Sequence, residues 1–172
     1  MNGKGDKWRG GWSKTYENNH KQIFGEKMKK DSVHFSSKSN DWGTPQDLFD
    51  KLDTVYNFTL DPCATDLNAK CEKYYTKEDN GLEQSWANEV VFMNPPYGRA
   101  IKFWIKKALD ESINGCTVVC LIPARTDTSY WHDYIFPHAK NIEFLRGRVK
   151  FEVNSVGTNP APFPSAVVVF QG

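Results

Sequence analysis

Four consecutive residues, Asn94-Pro95-Pro96-Tyr97, have the groups needed for transfer to an exocyclic amine on a planar ring. Such an amine is a poor nucleophile because its lone pair is delocalised into the ring. The Asn94 amide oxygen and the Pro95 carbonyl can accept its two hydrogens, which localises the lone pair without a strong base. Proline suits the second acceptor since it has a fixed φ and no competing N–H. Tyr97 offers a face for a flipped-out base, a stacking contact typically worth about 1–3 kcal/mol.

The residues before Asn94 predict the element that positions it. Residues 90–93 form a short apolar run typical of a buried parallel strand, and Pro95 and Pro96 cannot continue a strand ladder. In open α/β sheets, ligands bind outside the carboxyl ends of the strands, where this loop would lie. Asn-Pro-Pro is also a common turn after any strand, and the pattern alone leaves that interpretation open.

A second predicted strand, residues 58–61, ends in Asp61 and is followed by Pro62 and Cys63. A carboxylate is costly to bury, yet at the end of a strand it is well placed to orient a cationic or hydroxyl-bearing ligand. An aspartate of an ordinary turn is the alternative.

Capping signals predict that a helix begins near residue 45. Thr44 fits the N-cap, Pro45 fits the first helical position, and Asp47 fits the acid of a capping box. Leu48, Leu52 and Val55 then follow at helical spacing.

The later patterns predict alternating strands and helices. An edge strand at 73–76 is followed by a helix with an apolar stripe from Ile101 to Leu109, which ends at Asn114-Gly115. A strand at 117–122 is halted by Pro123, and a helix near 129–138 is capped by Thr128. Two strands at 142–145 and 149–153 are joined as a hairpin by Arg146-Gly147-Arg148, and a last strand spans 166–170. This order predicts a three-layer α/β sandwich around a mostly parallel sheet, with an antiparallel C-terminal hairpin.

Composition limits the class of protein. A chain of 172 residues suits one domain, and a formal net charge of +1 does not by itself mark a nucleic-acid binder. Residues 1–38 are predicted to be a basic, flexible arm, and residues 39–172 a single domain. Residues 1–40 carry nine Lys/Arg against four Asp/Glu, interleaved with aromatic side chains, so the arm is either a solvated tail or a contact for nucleic acid. The sequence has no membrane-spanning stretch or signal peptide, so we expect a soluble, cytoplasmic protein.

The metal-binding and titratable side chains form no recognisable site. Cys63, Cys71, Cys116 and Cys120 match no common zinc spacing, so structural thiols and no metal are predicted. His132 and His138 are predicted to lie on the surface of their helix.

The motifs taken together resemble the phage-type, Dam-like DNA N-6-adenine methyltransferase family over about residues 34–170. The matching segments are His34-Phe35-Ser36-Ser37, Asp41-Trp42-Gly43-Thr44-Pro45, Leu60-Asp61-Pro62-Cys63-Ala64, Met93-Asn94-Pro95-Pro96-Tyr97-Gly98, residues 121–128, residues 147–151 and residues 161–165.

The resemblance implies a Rossmann-like fold, S-adenosylmethionine as methyl donor, and adenine in double-stranded DNA as substrate. It makes Asn94, Pro95, Pro96 and Tyr97 the catalytic residues. The residues that it implies for the cofactor are Thr44, Pro45, Asp61, Pro62, Cys63, and either Asp79 or Glu78. If the gene is of phage origin, the protein would act in the host cytoplasm.

The chain departs from common methyltransferases in its first loop, where residues 63–66 contain no glycine that would let backbone approach the cofactor. It also leaves no room for a separate target-recognition domain. DNA contacts would therefore come from the 154–164 loop, from a second subunit in a homodimer, or from Arg125, Thr126, Asp127, Arg146, Arg148 and Lys150.

Two other functions stay open at this point. Asn-Pro-Pro-Tyr also resembles the motif of glutamine and guanine-N2 methyltransferases, so RNA or a protein glutamine is an alternative substrate. The missing glycines would suit a non-catalytic nucleic-acid-binding module of the same fold.

Overall fold

The computed structural model describes residues 42–153, 156–157 and 159–172. The predicted N-terminal arm and residues 34–37 lie outside the described residues, as does part of the 154–164 loop. Within the described part of the chain, no helix is long and apolar enough to cross a membrane.

A six-stranded sheet forms the centre of the fold, in the order β2-β1-β3-β4-β8-β5. Its strands are β1 (Leu60–Asp61), β2 (Lys73–Tyr74), β3 (Val90–Met93), β4 (Thr117–Pro123), β5 (Asn141–Phe144) and β8 (Ser165–Gln171). β1, β2, β3 and β4 pair in parallel, whereas β8 pairs antiparallel with both β4 and β5. A separate two-stranded sheet joins β6 (Glu152–Val153) to β7 (Val156–Gly157).

The central strands are buried because their sequences are almost wholly apolar. In β3, Val91, Phe92 and Met93 are buried, and every residue of β4 after Thr117 is buried. Such runs are typical of strands covered on both faces. The predicted strands at 90–93, 117–122 and 166–170 are therefore confirmed, and so is the edge position of the strand that begins at Lys73.

Three helices are described: α1 (Gln46–Tyr56), α2 (Ile101–Ile113) and α3 (Phe136–His138), the last continuing a π-helical turn, Trp131–Ile135. α2 buries Ile101, Trp104, Ile105 and Ala108, which confirms the predicted stripe. α1 instead buries Phe49, while Val55 is 68 % exposed. The predicted stripe of α1 was therefore wrong at Val55.

The predicted hairpin around Arg146-Gly147-Arg148 is wrong. β5 pairs with β8, and β6 pairs with β7, so the two segments on either side of this connection do not pair with each other. Residues 149–151 are outside any strand, and Val149 accepts a hydrogen bond from the Ala161 N–H at 2.9 Å. The antiparallel pairs at the C-terminal end of the chain are thus β8 with its two neighbours and the small β6–β7 pair.

Candidate active site

The carboxyl ends of β1 and β3 open into one cavity of about 360 Å³. The two strands are parallel neighbours, with Leu60 opposite Val91, so the residues that follow them meet at the same edge of the sheet. Asp61 and Asn94 both line this cavity, as the sequence predicts for side chains at adjacent strand ends. The structure therefore brings together the two polar side chains that the sequence predicts at this edge.

Asp61 is a buried acid, 5 % exposed. Its carboxylate accepts hydrogen bonds from the N–H groups of Cys63 and Lys70, each at 3.2 Å. Burial raises the pKa of Asp61 from 3.8 to about 6, although the two N–H donors act in the opposite direction. At neutral pH the cavity therefore contains a carboxylate that is largely ionised and has few protein partners.

The predicted cofactor residues divide into two groups. Thr44, Asp61, Pro62 and Cys63 line the cavity, whereas Pro45 and Asp79 are not among its lining residues. Pro45 lies at the N-cap of α1.

Asp79 binds within its own turn. One carboxylate oxygen accepts both the N–H and the hydroxyl of Thr76 at 2.8 Å, which lowers the pKa of Asp79. Of the two acids that the sequence left open, only Glu78 lines the cavity. The assignment of Asp79 to the cofactor stays a prediction.

Asn94 has its amide fixed by two acceptors far away in sequence. Its Nδ2 donates to the carbonyl of Trp42 and to Thr44 Oγ1, the latter at 2.9 Å. A carbonyl can only accept, so the nitrogen must face Trp42 and Oδ1 must face the other way. Asn94 Oδ1 is buried and accepts no hydrogen bond from any residue that the structure describes. Asn94 Oδ1 is thus a buried acceptor of fixed direction, in a residue that lines the cavity.

Thr44 does not cap α1, so that prediction is wrong. The helix has no side-chain cap, and its first hydrogen bonds run from Leu48 and Phe49 to the Pro45 carbonyl. Thr44 is instead 3 % exposed and accepts the Asn94 amide. Asp47, the predicted capping-box acid, lies 3.7 Å from Lys51 in an exposed ion pair.

The family of the chain follows from comparison with known proteins. A model of the family described as DNA N-6-adenine-methyltransferase (Dam) matches residues 31–171. The chain belongs to this family. It is 30 % identical over 135 residues to a DNA N-6-adenine-methyltransferase of Haemophilus phage HP1, covering 76 % of this chain and 78 % of that one. It is 35 % identical over 92 residues to a DNA N-6-adenine-methyltransferase of Escherichia phage T1, covering 52 % of this chain and 38 % of the other.

In this member of the DNA N-6-adenine-methyltransferase family, the loop after Asn94 is anchored by Tyr97. The Tyr97 hydroxyl donates to the Leu121 carbonyl at 3.2 Å, and burial raises its pKa well above the usual range. Its ring, 7 % exposed, meets the rings of Phe151 and Phe163 edge-on, with centroids 5.7 and 5.6 Å away. Pro95 is buried, while Pro96 is exposed and, like Pro95, lines the cavity.

A second cavity, of about 340 Å³, borders the same loop at Tyr97 and Gly98. It is lined by Tyr97, which the sequence predicts to stack on a flipped-out base, and by Arg125 and Thr128. Arg99 and Lys102 also line it, and neither was predicted from the sequence. Both basic residues lie close after Tyr97 in the sequence, Arg99 just before α2 and Lys102 in its first turn. This position was the signal that could have indicated them.

The side chains predicted to contact DNA are all on the surface. Arg125, Thr126, Asp127, Arg146, Arg148 and Lys150 are exposed. The Arg125 guanidinium lies 5.9 Å from the centre of the Phe163 ring, which places it over the aromatic group that surrounds Tyr97. Their contacts with DNA stay predictions.

The other side chains that the sequence singled out are those of Thr128, two histidines and the cysteines. Thr128 lies next to the helical segment that begins at residue 129, but its hydroxyl donates to the Arg125 carbonyl at 2.7 Å and does not cap that segment. His132 and His138 are exposed, as predicted. Cys116 and Cys120 are buried free thiols.

Proposed function

We propose that this protein transfers a methyl group from S-adenosylmethionine to N6 of an adenine flipped out of DNA, within a Rossmann-like methyltransferase sandwich. The observation that carries the proposal is the free Oδ1 of Asn94, buried and fixed in direction beside a cavity that also contains Asp61. A buried acceptor without a partner costs about 1–3 kcal/mol, so its presence favours a ligand donor. Membership of the DNA N-6-adenine-methyltransferase family supports adenine in DNA as the substrate.

The chemistry assigned to the chain is to hold and polarise the adenine amine. Asn94 Oδ1 would accept one N6 hydrogen, and the Pro95 carbonyl would accept the other. With both hydrogens bound, the nitrogen lone pair is localised and directed away from the ring. The buried Pro95 and the anchored Tyr97 keep these acceptors from turning, so the rate gain comes mainly from positioning.

The residues of the first cavity fit the donor. When bound, S-adenosylmethionine supplies an electrophilic methyl group on a sulfonium centre. Asp61 is buried yet has a pKa of about 6, so it is largely ionised at neutral pH and suits a cationic or hydroxyl-bearing ligand. Pro62, Cys63 and Glu78 would complete the donor site, since all three line the same cavity.

The second cavity would receive the target nucleotide. It joins Tyr97 to Arg125 and Thr128, and its basic side chains, which include Arg99 and Lys102, suit the adjacent phosphates. The Tyr97 ring borders this cavity and is held edge-on against Phe151 and Phe163.

The central test is Asn94→Ala. We expect methyl transfer to DNA from labelled donor to fall below detection, while calorimetry shows S-adenosylhomocysteine binding within a few-fold of the unchanged protein. Asn114→Ala is the matched control, because that amide is exposed and bonds only the Asp110 carbonyl of its own helix. Near-normal methylation by Asn94→Ala would reject the mechanism.

The substrate is tested separately. DNA from cells that express the protein is sequenced by a method that detects N6-methyladenine, which reports the base and its sequence context together. Parallel incubations with RNA and with protein test whether those alternatives accept the methyl group. Methylation of RNA or protein with unmodified DNA would overturn the assignment of substrate.

A further inference from the structure

The direction of the Asn94 amide depends on one short segment, residues 42–44. Both acceptors of Asn94 Nδ2 belong to it, the Trp42 carbonyl and Thr44 Oγ1. Without them the amide is free to rotate about its terminal torsion, which is broad in asparagine. Oδ1 would then spend part of its time on the side that now holds Nδ2, facing Trp42 and Thr44.

The 42–44 segment is itself held in place by the C-terminal part of the chain. Gly43 and Glu152 exchange two backbone hydrogen bonds, at 2.9 and 2.8 Å. A Cβ at Gly43 would lie 3.0 Å from the Glu152 carbonyl oxygen, so the two backbones are in close contact. The Trp42 ring packs edge-on against Phe151 and Phe163, with both centroids 5.5 Å away.

We propose that Thr44 is a positioning residue that aims Asn94 Oδ1 at the adenine amine, with the Gly43–Glu152 bridge holding Thr44 in register. This inference rests on the proposed function, because it assigns a purpose to the direction of the catalytic amide. Thr44 acts only through Asn94 and does not itself contact the reacting atoms. Since Glu152 is close in sequence to the exposed Arg148 and Lys150, the bridge also connects the amide to the surface predicted to bind DNA.

A different role for Thr44 is distinguishable from this one. As a cofactor ligand, which its place in the cavity wall allows, its loss would raise the KM for S-adenosylmethionine and leave kcat unchanged. As a positioning residue, its loss lowers kcat and changes the cofactor KM little. The split between the two constants therefore decides.

The experiment compares Thr44→Val, which keeps the shape and removes the hydroxyl, with Thr44→Ser, which keeps the hydroxyl. We expect kcat of Thr44→Val to fall about fivefold, as for one lost hydrogen bond of ordinary strength, with the cofactor KM within about twofold. Thr44→Ser should retain most of kcat. Thr54→Val is the matched control, because that exposed hydroxyl bonds only the Asp50 carbonyl within α1.

A second measurement is independent of activity. In protein labelled with 15N-asparagine, the side-chain amide signals of Asn94 are assigned by their absence in Asn94→Ala. We expect them to shift or broaden in Thr44→Val and to stay in place in Thr44→Ser and Thr54→Val. Thermal unfolding shows whether each variant is folded.

The outcomes separate the two levels of the proposal. An unchanged kcat and unchanged Asn94 signals in a folded Thr44→Val would overturn the positioning role, and so would a raised cofactor KM with normal kcat. Both results leave the proposed function standing if Asn94→Ala is inactive. An active Asn94→Ala would instead reject the function itself.

Discussion

Gly81 lies so close to Pro62 that a Cβ on it would be 2.3 Å from the Pro62 carbonyl oxygen and 3.2 Å from the Trp104 ring. Glycine is needed at this position because there is no space for a Cβ, and not because of the backbone conformation, since Gly81 does not have a left-handed φ. The loop after β1 contains no glycine at residues 63–66, and the close approach found here is between this loop and a second segment of the cavity wall. The loop after β2 supplies the glycine, and both Gly81 and Pro62 line the first cavity.

Gly81→Ala is therefore expected to displace the loop that carries Pro62 and Cys63. The obstructing atom is a backbone oxygen, which cannot rotate away as a flexible side chain would. We expect a loss of about 1–3 kcal/mol in the free energy of unfolding, typical of overpacking, together with weaker S-adenosylhomocysteine binding. Chemical denaturation and calorimetry measure the two effects.

Gly115→Ala provides the control for Gly81→Ala. Gly115 has a φ of +97° and open space around its Cβ position, so alanine there costs about 1 kcal/mol through the backbone alone. The Gly115→Ala variant should bind S-adenosylhomocysteine as tightly as the unsubstituted protein. If Gly81→Ala binds this ligand as tightly as the unchanged protein, the loop contact has no part in the donor site.

The meeting of Asp61 and Asn94 could be predicted from sequence because the rules that place them are local. Each residue ends an apolar run, each is followed by proline, and parallel strands bring such ends to one edge of a sheet. The buried stripe of α2 was predictable for the same reason, since helical spacing is visible within one segment.

The role of Thr44 could not be predicted in this way. Thr-Pro before an apolar stripe satisfies the local pattern of a helix cap, yet the hydroxyl bonds Asn94, which lies 50 residues away in sequence. A tertiary hydrogen bond to a buried amide outweighed a cap that solvent can replace. No local pattern signals such a partner.

The hairpin around Gly147 failed for a related reason. Two short β segments joined by a glycine-containing turn favour a hairpin locally. The first segment, β5 (Asn141–Phe144), pairs with β8. The second segment pairs through Glu152 with Gly43. Both pairings join residues distant in sequence.

The raised pKa of Asp61 predicts a pH dependence of stability. The folded pKa is about 6, above the ordinary value of 3.8, so the folded state binds the proton more tightly between these limits. The contribution of Asp61 to stability is then fully present below pH 3.8 and is lost as the pH rises through 6. The change is on the order of 3 kcal/mol at most.

Asp61→Asn removes this titration. We expect the free energy of unfolding of the unchanged protein, minus that of Asp61→Asn, to fall between pH 4 and pH 6 and to be level above pH 7. Urea denaturation at a series of pH values measures it. Asp79→Asn is the control, since the pKa of Asp79 is lowered and its contribution to stability is lost only as the pH falls below 3.8, so the corresponding difference for Asp79→Asn should be level between pH 4 and pH 7. If the difference for Asp61→Asn were constant between pH 4 and pH 7, Asp61 would have its ordinary pKa in the folded protein.

Arg148 and Lys150 are expected to contact DNA phosphates. Both are exposed and lie close in sequence to Glu152, whose backbone holds the 42–44 segment in place. Each phosphate contact releases counterions, so removing one lowers the slope of log affinity against log salt concentration by about 0.9. We expect Arg148→Ala and Lys150→Ala each to reduce the slope by about this amount, measured by DNA-binding titrations from low to moderate salt.

Lys51→Ala is the matched control for these two substitutions. The Lys51 side chain, on α1, is 76 % exposed and pairs only weakly with Asp47, so its loss removes a surface charge that is not among the predicted DNA contacts. We expect the salt slope of Lys51→Ala to equal that of the unchanged protein. Equal slopes for all three variants would mean that Arg148 and Lys150 do not contact the phosphates. That result would favour Arg99 and Lys102, at the second cavity, as the DNA contacts.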